Sequence, residues 1–193
     1  MDYTKGVLDT DPYVLREGLP VPADDGACLH LSGIKVPSIS LRSTSGRDVN
    51  LAGASRGQVV FFFYPETGKP GTQIPKSWND TAGARGCTPQ SCAFRDHYPE
   101  FKELGFEVFG VSAQRIDEQK EFAARNNLPY DLLNDSDFRL TNELRLPTFK
   151  FESKTFIKRL ALVVRRGRIE KVFYPVFPPE KNAELVLEYL RGK

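Results

Sequence analysis

Cysteine, histidine, tryptophan and methionine are all scarce here: three, two, one and one among 193 residues. The three cysteines, Cys28, Cys87 and Cys92, are too few for a disulfide scaffold, and a close pair in a reducing compartment more often serves catalysis or metal binding. With only His30 and His97 beside them, a four-ligand zinc site would take nearly every such residue at unsuitable spacings. No metal is therefore expected. Apolar runs of bilayer length are also missing. The first thirty residues carry Asp2, Asp9, Asp11, Asp24 and Asp25 without a basic lead-in, which argues against a secretory signal. A soluble, cytoplasmic protein is expected. Nor is there an excess of charge: 27 Lys and Arg against 25 Asp and Glu give +2. With no basic block, neither a nucleic acid nor a membrane is an expected partner.

What is present is enough apolar residue for one core. Val59 to Tyr64 is a short apolar run ending at Pro65, which suits a strand buried on both faces. Phe106 to Val111 is a second. Asp117 opens a helical pattern that stops at Asn126 and Asn127, before Pro129. Tyr130 to Leu133 reads as a short strand, and Phe138 to Leu144 as a helix started by Asp137. Leu160 to Val164 and Ile169 to Tyr174 flank Arg165, Arg166, Gly167 and Arg168, a hairpin signature whose basic tip is most simply solvated. A last amphipathic helix runs from about Glu180 to Leu190, with Leu185, Val186, Leu187 and Leu190 on or near one face. Ile39 to Leu41 and Val49 to Leu51 make an added N-terminal hairpin. This order describes an α/β domain with a mixed central sheet flanked by helices, the thioredoxin-like arrangement. The domain is read as residues 33–193, with an insertion at 66–86, preceded by a Pro, Asp and Gly rich extension, 1–32, that wraps the domain or stays mobile.

The chemistry is concentrated in Gly86-Cys87-Thr88-Pro89-Gln90-Ser91-Cys92. Proline is favoured in a first helical turn, so Pro89 places Cys87 at or just before a helix N-terminus. Free backbone N–H groups and the positive end of the helix dipole then face the sulfur and stabilise a thiolate. A thiol of pKa about 8.5 is only about 3% ionised at pH 7, whereas one near 6 is about 90% ionised, so such a setting supplies roughly thirtyfold more nucleophile. Cys92 follows five residues on, where an intact helix separates the Cα atoms by roughly 8.6 Å. A disulfide needs less than about 7 Å, so joining the two requires the first turns to unwind. Pro99 is expected to kink or split the helix.

The segment G-C-T-P-Q-S-C-A-F-R-D, after a strand ending F-Y-P, resembles the active site of the Q-type (bacterioferritin-comigratory) peroxiredoxins, over roughly Gly33 to Lys193. The resemblance implies a thiol peroxidase acting on hydrogen peroxide or small alkyl hydroperoxides. Cys87 would become a sulfenic acid, Cys92 would condense with it, and an external dithiol, thioredoxin or glutaredoxin, would reduce the disulfide. It also implies no metal, flavin or haem cofactor, and a monomer or weak homodimer.

Two departures accompany it. The family pattern is proline, three residues, threonine, two residues, cysteine. Here Pro65 lies twenty-two residues before Cys87, and Ala84 holds the threonine position. Thr81 is the candidate to return the missing hydroxyl. Pro65 either lines the pocket, as the family proline does, or simply ends its strand. The family also uses an arginine at the start of a late strand, and here Arg159 and Lys158 compete. Neighbouring strand residues point to opposite faces, so one alone can serve. Arg159 is favoured, because a guanidinium can hold sulfur and oxygen together. Trp78 is either the anchor of the insertion or a lid over the pocket. Cys28 and His30 have no motif, and His97 is read as structural. The rival readings are a one-cysteine peroxidase and a redox-sensing protein without fast peroxide chemistry. A general disulfide reductase is disfavoured, because the spacing is not C-x-x-C.

Overall fold

The computed structural model describes residues 9–192; residues 1–8 of the expected extension, and Lys193, lie outside them. In chain order the elements are β1 (Ser40–Ser43), β2 (Asp48–Asn50), α1 (Leu51–Ala54), β3 (Gln58–Phe63), α2 (Lys76–Asn79), α3 (Cys87–Asp96), α4 (Tyr98–Glu103) and β4 (Phe106–Ser112). There follow α5 (Ile116–Arg125), β5 (Leu132–Asn134), α6 (Arg139–Glu143), β6 (Thr148–Phe151), β7 (Lys154–Ile157), β8 (Leu160–Arg165), β9 (Arg168–Phe173) and α7 (Asn182–Arg191). Among the described residues, seven strands form one sheet in the order β2-β1-β5-β4-β3-β8-β9, and β6 and β7 form a separate hairpin.

The apolar run from Val59 becomes the heart of the sheet for the reason its composition gives. It has no polar face, so both faces must be covered. β3 lies between β4, which it pairs in parallel, and β8, which it pairs antiparallel. Its alternate side chains divide the core: Val59, Phe61 and Phe63 pack with Leu31, Leu41 and Leu140 on one face. Val60, Phe62 and Tyr64 pack on the other with Phe94, Phe101 and the α7 residues Val186, Leu187 and Leu190. Cys87 belongs to this second layer. Phe62 and Phe94 stack at 4.3 Å between ring centroids, which fixes α3 against the strand that precedes it. This is the expected thioredoxin-like architecture.

Several local expectations are corrected. The α6 start is held by Asp135, not Asp137: its carboxylate accepts from the Leu140 N–H at 3.0 Å, the Thr141 N–H at 2.9 Å and the Thr141 hydroxyl at 2.6 Å. Asp137 is exposed and pairs with Arg139. Leu185 faces outward, 42% exposed, while Ala183, Val186, Leu187 and Leu190 are buried. Leu51, read as strand, opens α1, because the Asn50 side chain accepts from the Gly53 N–H and caps a helix there. Pro99 does separate two helices, α3 and α4, which meet at His97.

The described part of the extension wraps the domain. Ile74 N–H donates to the Asp9 carbonyl at 2.7 Å and Gly71 N–H to that of Thr10 at 2.9 Å. Further on, Gly33 N–H donates to the Ile169 carbonyl at 2.8 Å, which ties the segment to β9.

Candidate active site

Cys87 is the first residue of α3, and what places it there is Gly86. That glycine takes φ 105°, a left-handed conformation which side chains resist, and a Cβ on it would lie 2.3 Å from Pro179 Cγ. Only glycine fits. The helix then starts with the Gln90 N–H bonding the Gly86 carbonyl at 3.0 Å.

Arg159, just ahead of β8, is the cation beside the sulfur. Its Nη2 donates to Cys87 Sγ at 3.3 Å and also to the carbonyls of Gly83 at 3.2 Å, Ala84 at 3.3 Å and Arg85 at 3.0 Å. One guanidinium thus gathers the turn that leads into the helix and aims the cysteine. Both Cys87 and Arg159 are only 3% exposed, so solvent screens the pair weakly. At 3.3 Å and an effective dielectric of about 20, a thiolate and a guanidinium attract by about 5 kcal/mol before desolvation is counted. A helix N-terminus contributes up to about 2 kcal/mol. Both favour negative charge at the same sulfur. The protonated sulfur has an acceptor as well, the Ala84 carbonyl at 3.6 Å. Arg159 already bonds that carbonyl, so it stays satisfied when the proton leaves.

Lys158 turns away. Its Nζ donates to Asp25 Oδ2 at 2.8 Å, and Asp25 also accepts from the Tyr174 hydroxyl at 2.8 Å. That pair of donors, Lys158 first, holds the Asp25 carboxyl well below its ordinary range. Thr81 does not return to the cysteine: its hydroxyl donates to the Ser77 carbonyl at 2.8 Å, closing the end of α2. Pro65 is buried just beyond β3, with its carbonyl accepting from the Ser112 hydroxyl at 2.8 Å. Its successors Glu66 and Thr67 line the cavity over Cys87. Ala84 is fully buried and offers the site only its backbone.

That cavity measures about 230 Å³. It is lined by Cys87 and Thr88, by Pro12 of the extension, by Ile74 and Trp78 of the insertion, and by Phe151 and Phe156 of the β6–β7 hairpin. Trp78 anchors the insertion on the β6–β7 hairpin: its ring lies 5.0 Å from those of Phe151 and Phe156 and 6.0 Å from that of Phe149, and it lines the cavity. The hairpin itself escaped the sequence reading. The alternation Phe149, Phe151, then Phe156 across the Glu152-Ser153 turn was the signal for it.

Cys92 sits in a different setting on the same helix. It is half-buried, and its thiol donates to Asn126 Oδ1 at 3.6 Å, an acceptor shared with the Tyr13 hydroxyl at 2.9 Å. Burial pushes its pKa up, with Arg95 opposing. Cys28, buried in the opposite layer, is pushed up to about 12 by burial and by the nearby carboxylates of Asp25 and Asp24. His30 bonds the Leu144 carbonyl at 2.8 Å and His97 bonds Glu100 at 2.6 Å, both structural placements.

Two residues near the sulfur were missed in the sequence. Arg159 Nη1 donates to Gln90 Oε1 at 2.5 Å, and Gln90 Nε2 donates to Asn182 Oδ1 at 2.9 Å. Gln90 was findable, since it lies three residues after Cys87 and therefore on the same helix face. Asn182 was not, because it lies ninety-two residues further along the chain.

The family model described as Redoxin matches residues 31–187. Peroxiredoxin Q, chloroplastic, of Oryza sativa subsp. japonica is 32% identical over 196 residues, covering 98% of this chain and 82% of that protein. Peroxiredoxin Q, chloroplastic, of Gentiana triflora is 32% identical over 157 residues, 81% of this chain, and the chain spans 64% of its length. Among solved structures, peroxidoxin BcpB from Mycobacterium tuberculosis superposes with a TM-score of 0.68 at 26% identity, covering 83% of this chain and 96% of that one.

Proposed function

The chain belongs to the Redoxin family, among the peroxiredoxin Q proteins, which are thiol peroxidases, and on that premise we propose that Cys87 reduces hydroperoxides and Cys92 resolves the product. The observation that carries this reading is the Arg159 guanidinium 3.3 Å from a sulfur at the first position of a helix.

The thiolate of Cys87 attacks the terminal oxygen of the hydroperoxide. An S–O bond forms, the O–O bond breaks, and the leaving alkoxide departs as alcohol on taking a proton. Cys87 is then a sulfenic acid. Arg159 opposes charge on the sulfur at the outset and on the oxygens as they separate, a task suited to a fixed guanidinium. Cys92 next attacks the sulfenic sulfur: an S–S bond forms, the S–O bond breaks, and water leaves with the Cys92 proton. Both cysteines belong to the single helix α3. Their Cα atoms are then about 8.6 Å apart, beyond the roughly 7 Å limit of a disulfide, so the start of α3 unwinds before resolution. Thioredoxin or glutaredoxin returns the disulfide to two thiols by exchange. Such a cycle suits any compartment with a dithiol pool, the cytoplasm or a chloroplast such as the plant relatives' names specify.

The cavity over Cys87 holds far more than hydrogen peroxide. Its walls of Trp78, Phe151, Phe156 and Ile74 favour an alkyl hydroperoxide with an apolar body. A one-cysteine cycle is the second reading, favoured by the raised pKa and half-buried setting of Cys92. A thioredoxin-coupled assay with cumene hydroperoxide separates them. The proposal expects turnover in the wild type, none in Cys87→Ser and a stalled cycle in Cys92→Ser. Undiminished turnover in Cys92→Ser would establish the one-cysteine cycle. No turnover in the wild type with either hydroperoxide and either reductant would leave a sensor.

A further inference from the structure

Arg159 does not fix its own orientation. The Nη2 that reaches the sulfur is divided among three carbonyls and Sγ, so the plane of the guanidinium depends on what its other end bonds. That end, Nη1, donates to Gln90 Oε1 at 2.5 Å. Gln90 is fully buried, and its remaining amide atom, Nε2, donates to Asn182 Oδ1 at 2.9 Å. Asn182 is likewise fully buried, at the start of α7.

The direction of this chain is forced. Arginine carries donors alone, so Gln90 must turn its oxygen toward Arg159 and its NH2 group away. Asn182 must then present its oxygen to that group, which leaves its own Nδ2 buried without a hydrogen-bond partner among the described residues. An orphaned buried amide is unfavourable, and its persistence calls for a reason. The reason is on the other side of the same side chain: the oxygen it offers decides which end of Gln90 faces the guanidinium.

We propose that Asn182 is a positioning residue for the peroxide reaction, holding Arg159 on the Cys87 sulfur by fixing the orientation of the Gln90 amide. The inference rests on the reading of Cys87 as the thiol that attacks peroxide. Without the Asn182 acceptor the Gln90 amide is free to rotate, and with its NH2 group toward Arg159 two donors meet. The guanidinium then shifts, and the sulfur loses part of its opposing charge. A polar pair that merely joins α3 to α7 would instead affect stability alone.

The test is the pH profile of the pre-steady-state reaction of reduced protein with hydrogen peroxide, measured with a thermal melt on wild type, Asn182→Leu and Asn182→Asp. Leucine keeps the volume and removes the acceptor. Aspartate keeps an acceptor oxygen for Gln90. The expected result is a rate about tenfold lower at pH 7 for Asn182→Leu, with the profile moved to higher pH, and a rate within about threefold of wild type for Asn182→Asp. In a Gln90→Leu background, Asn182→Leu should change the rate no further, since the residue acts through Gln90. An Asn182→Leu protein with a lower melting temperature but the wild-type rate and profile would overturn the proposal, as would an Asn182→Asp protein that folds but is as slow as the leucine variant. A wild-type protein no faster with peroxide than free cysteine would instead overturn the underlying role of Cys87.

Discussion

Cys87 and Cys92 share one helix, five residues apart, and their surroundings make them different reagents. Cys87 stands at the helix start with Arg159 at 3.3 Å and a cavity above it. Cys92 stands a turn and a half further in, where the dipole no longer helps, beside the neutral amide of Asn126. At the first, a buried cation lies against the sulfur. At the second, burial dominates and pushes the pKa up, with Arg95 opposing. The lesson is that two residues of one type on one helix meet different surroundings, set by position within the helix and by a partner from a distant strand.

The comparison breaks most completely if the cation is removed. Arg159→Ala should slow the reaction of reduced protein with hydrogen peroxide by roughly a hundred- to a thousandfold, the usual effect of losing a fixed charge-stabilising donor. Lys158→Ala should change it less than about threefold, because its charge is spent on Asp25. Stopped-flow rates of the two variants check this directly. The helix start comes next. Gly86→Ala forces a Cβ against Pro179 in a left-handed backbone, and should cost about 2–4 kcal/mol in denaturant unfolding.

Alkylation sharpens the contrast more gently. At pH 7 and short times, iodoacetamide followed by mass mapping should modify Cys87 at least roughly tenfold faster than Cys92, since the thiolate is what reacts and burial keeps Cys92 protonated. Cys28, pushed up to about 12, should stay unmodified until the protein unfolds. As pH rises Cys92 should gain ground, because its raised pKa leaves it protonated long after an ordinary thiol has ionised. The smallest effect belongs to the cavity wall. Trp78→Ala should raise KM for cumene hydroperoxide a few-fold and leave hydrogen peroxide within about twofold, as expected for losing part of an apolar contact.

Much of the fold was legible because it rests on periodicity. The Val59 to Tyr64 run, the Phe106 strand, the two hairpins and α7 follow from composition and turn chemistry, and each occurs within two or three residues of its expected place. The β6–β7 hairpin and the α2 turn were not read. The hairpin's aromatics, Phe149, Phe151 and Phe156, close on Trp78 of α2, and both segments are too short for their patterns to stand out in a single sequence. Within the site, Cys87 could be named from its helix-start pattern, whereas Arg159 came from the family resemblance, with strand alternation saying only that it and Lys158 could not both serve. Thr81 could not be placed, because nothing in a Gly and Pro rich insertion states that its hydroxyl turns back onto Ser77. Gln90 and Asn182 belong to a network closed between α3 and α7, and a single sequence does not say which helices touch.

In the proposed cycle Cys87 attacks peroxide and Cys92 then closes on it. The most direct test is stopped-flow oxidation of the reduced protein by hydrogen peroxide, quenched at intervals and mapped by mass. Two resolved phases are expected, a fast one that consumes Cys87 as sulfenic acid and a slower one, limited by unwinding of α3, that yields the Cys87 to Cys92 disulfide. Oxidation no faster than that of free cysteine, or a first product on any other sulfur, would contradict it.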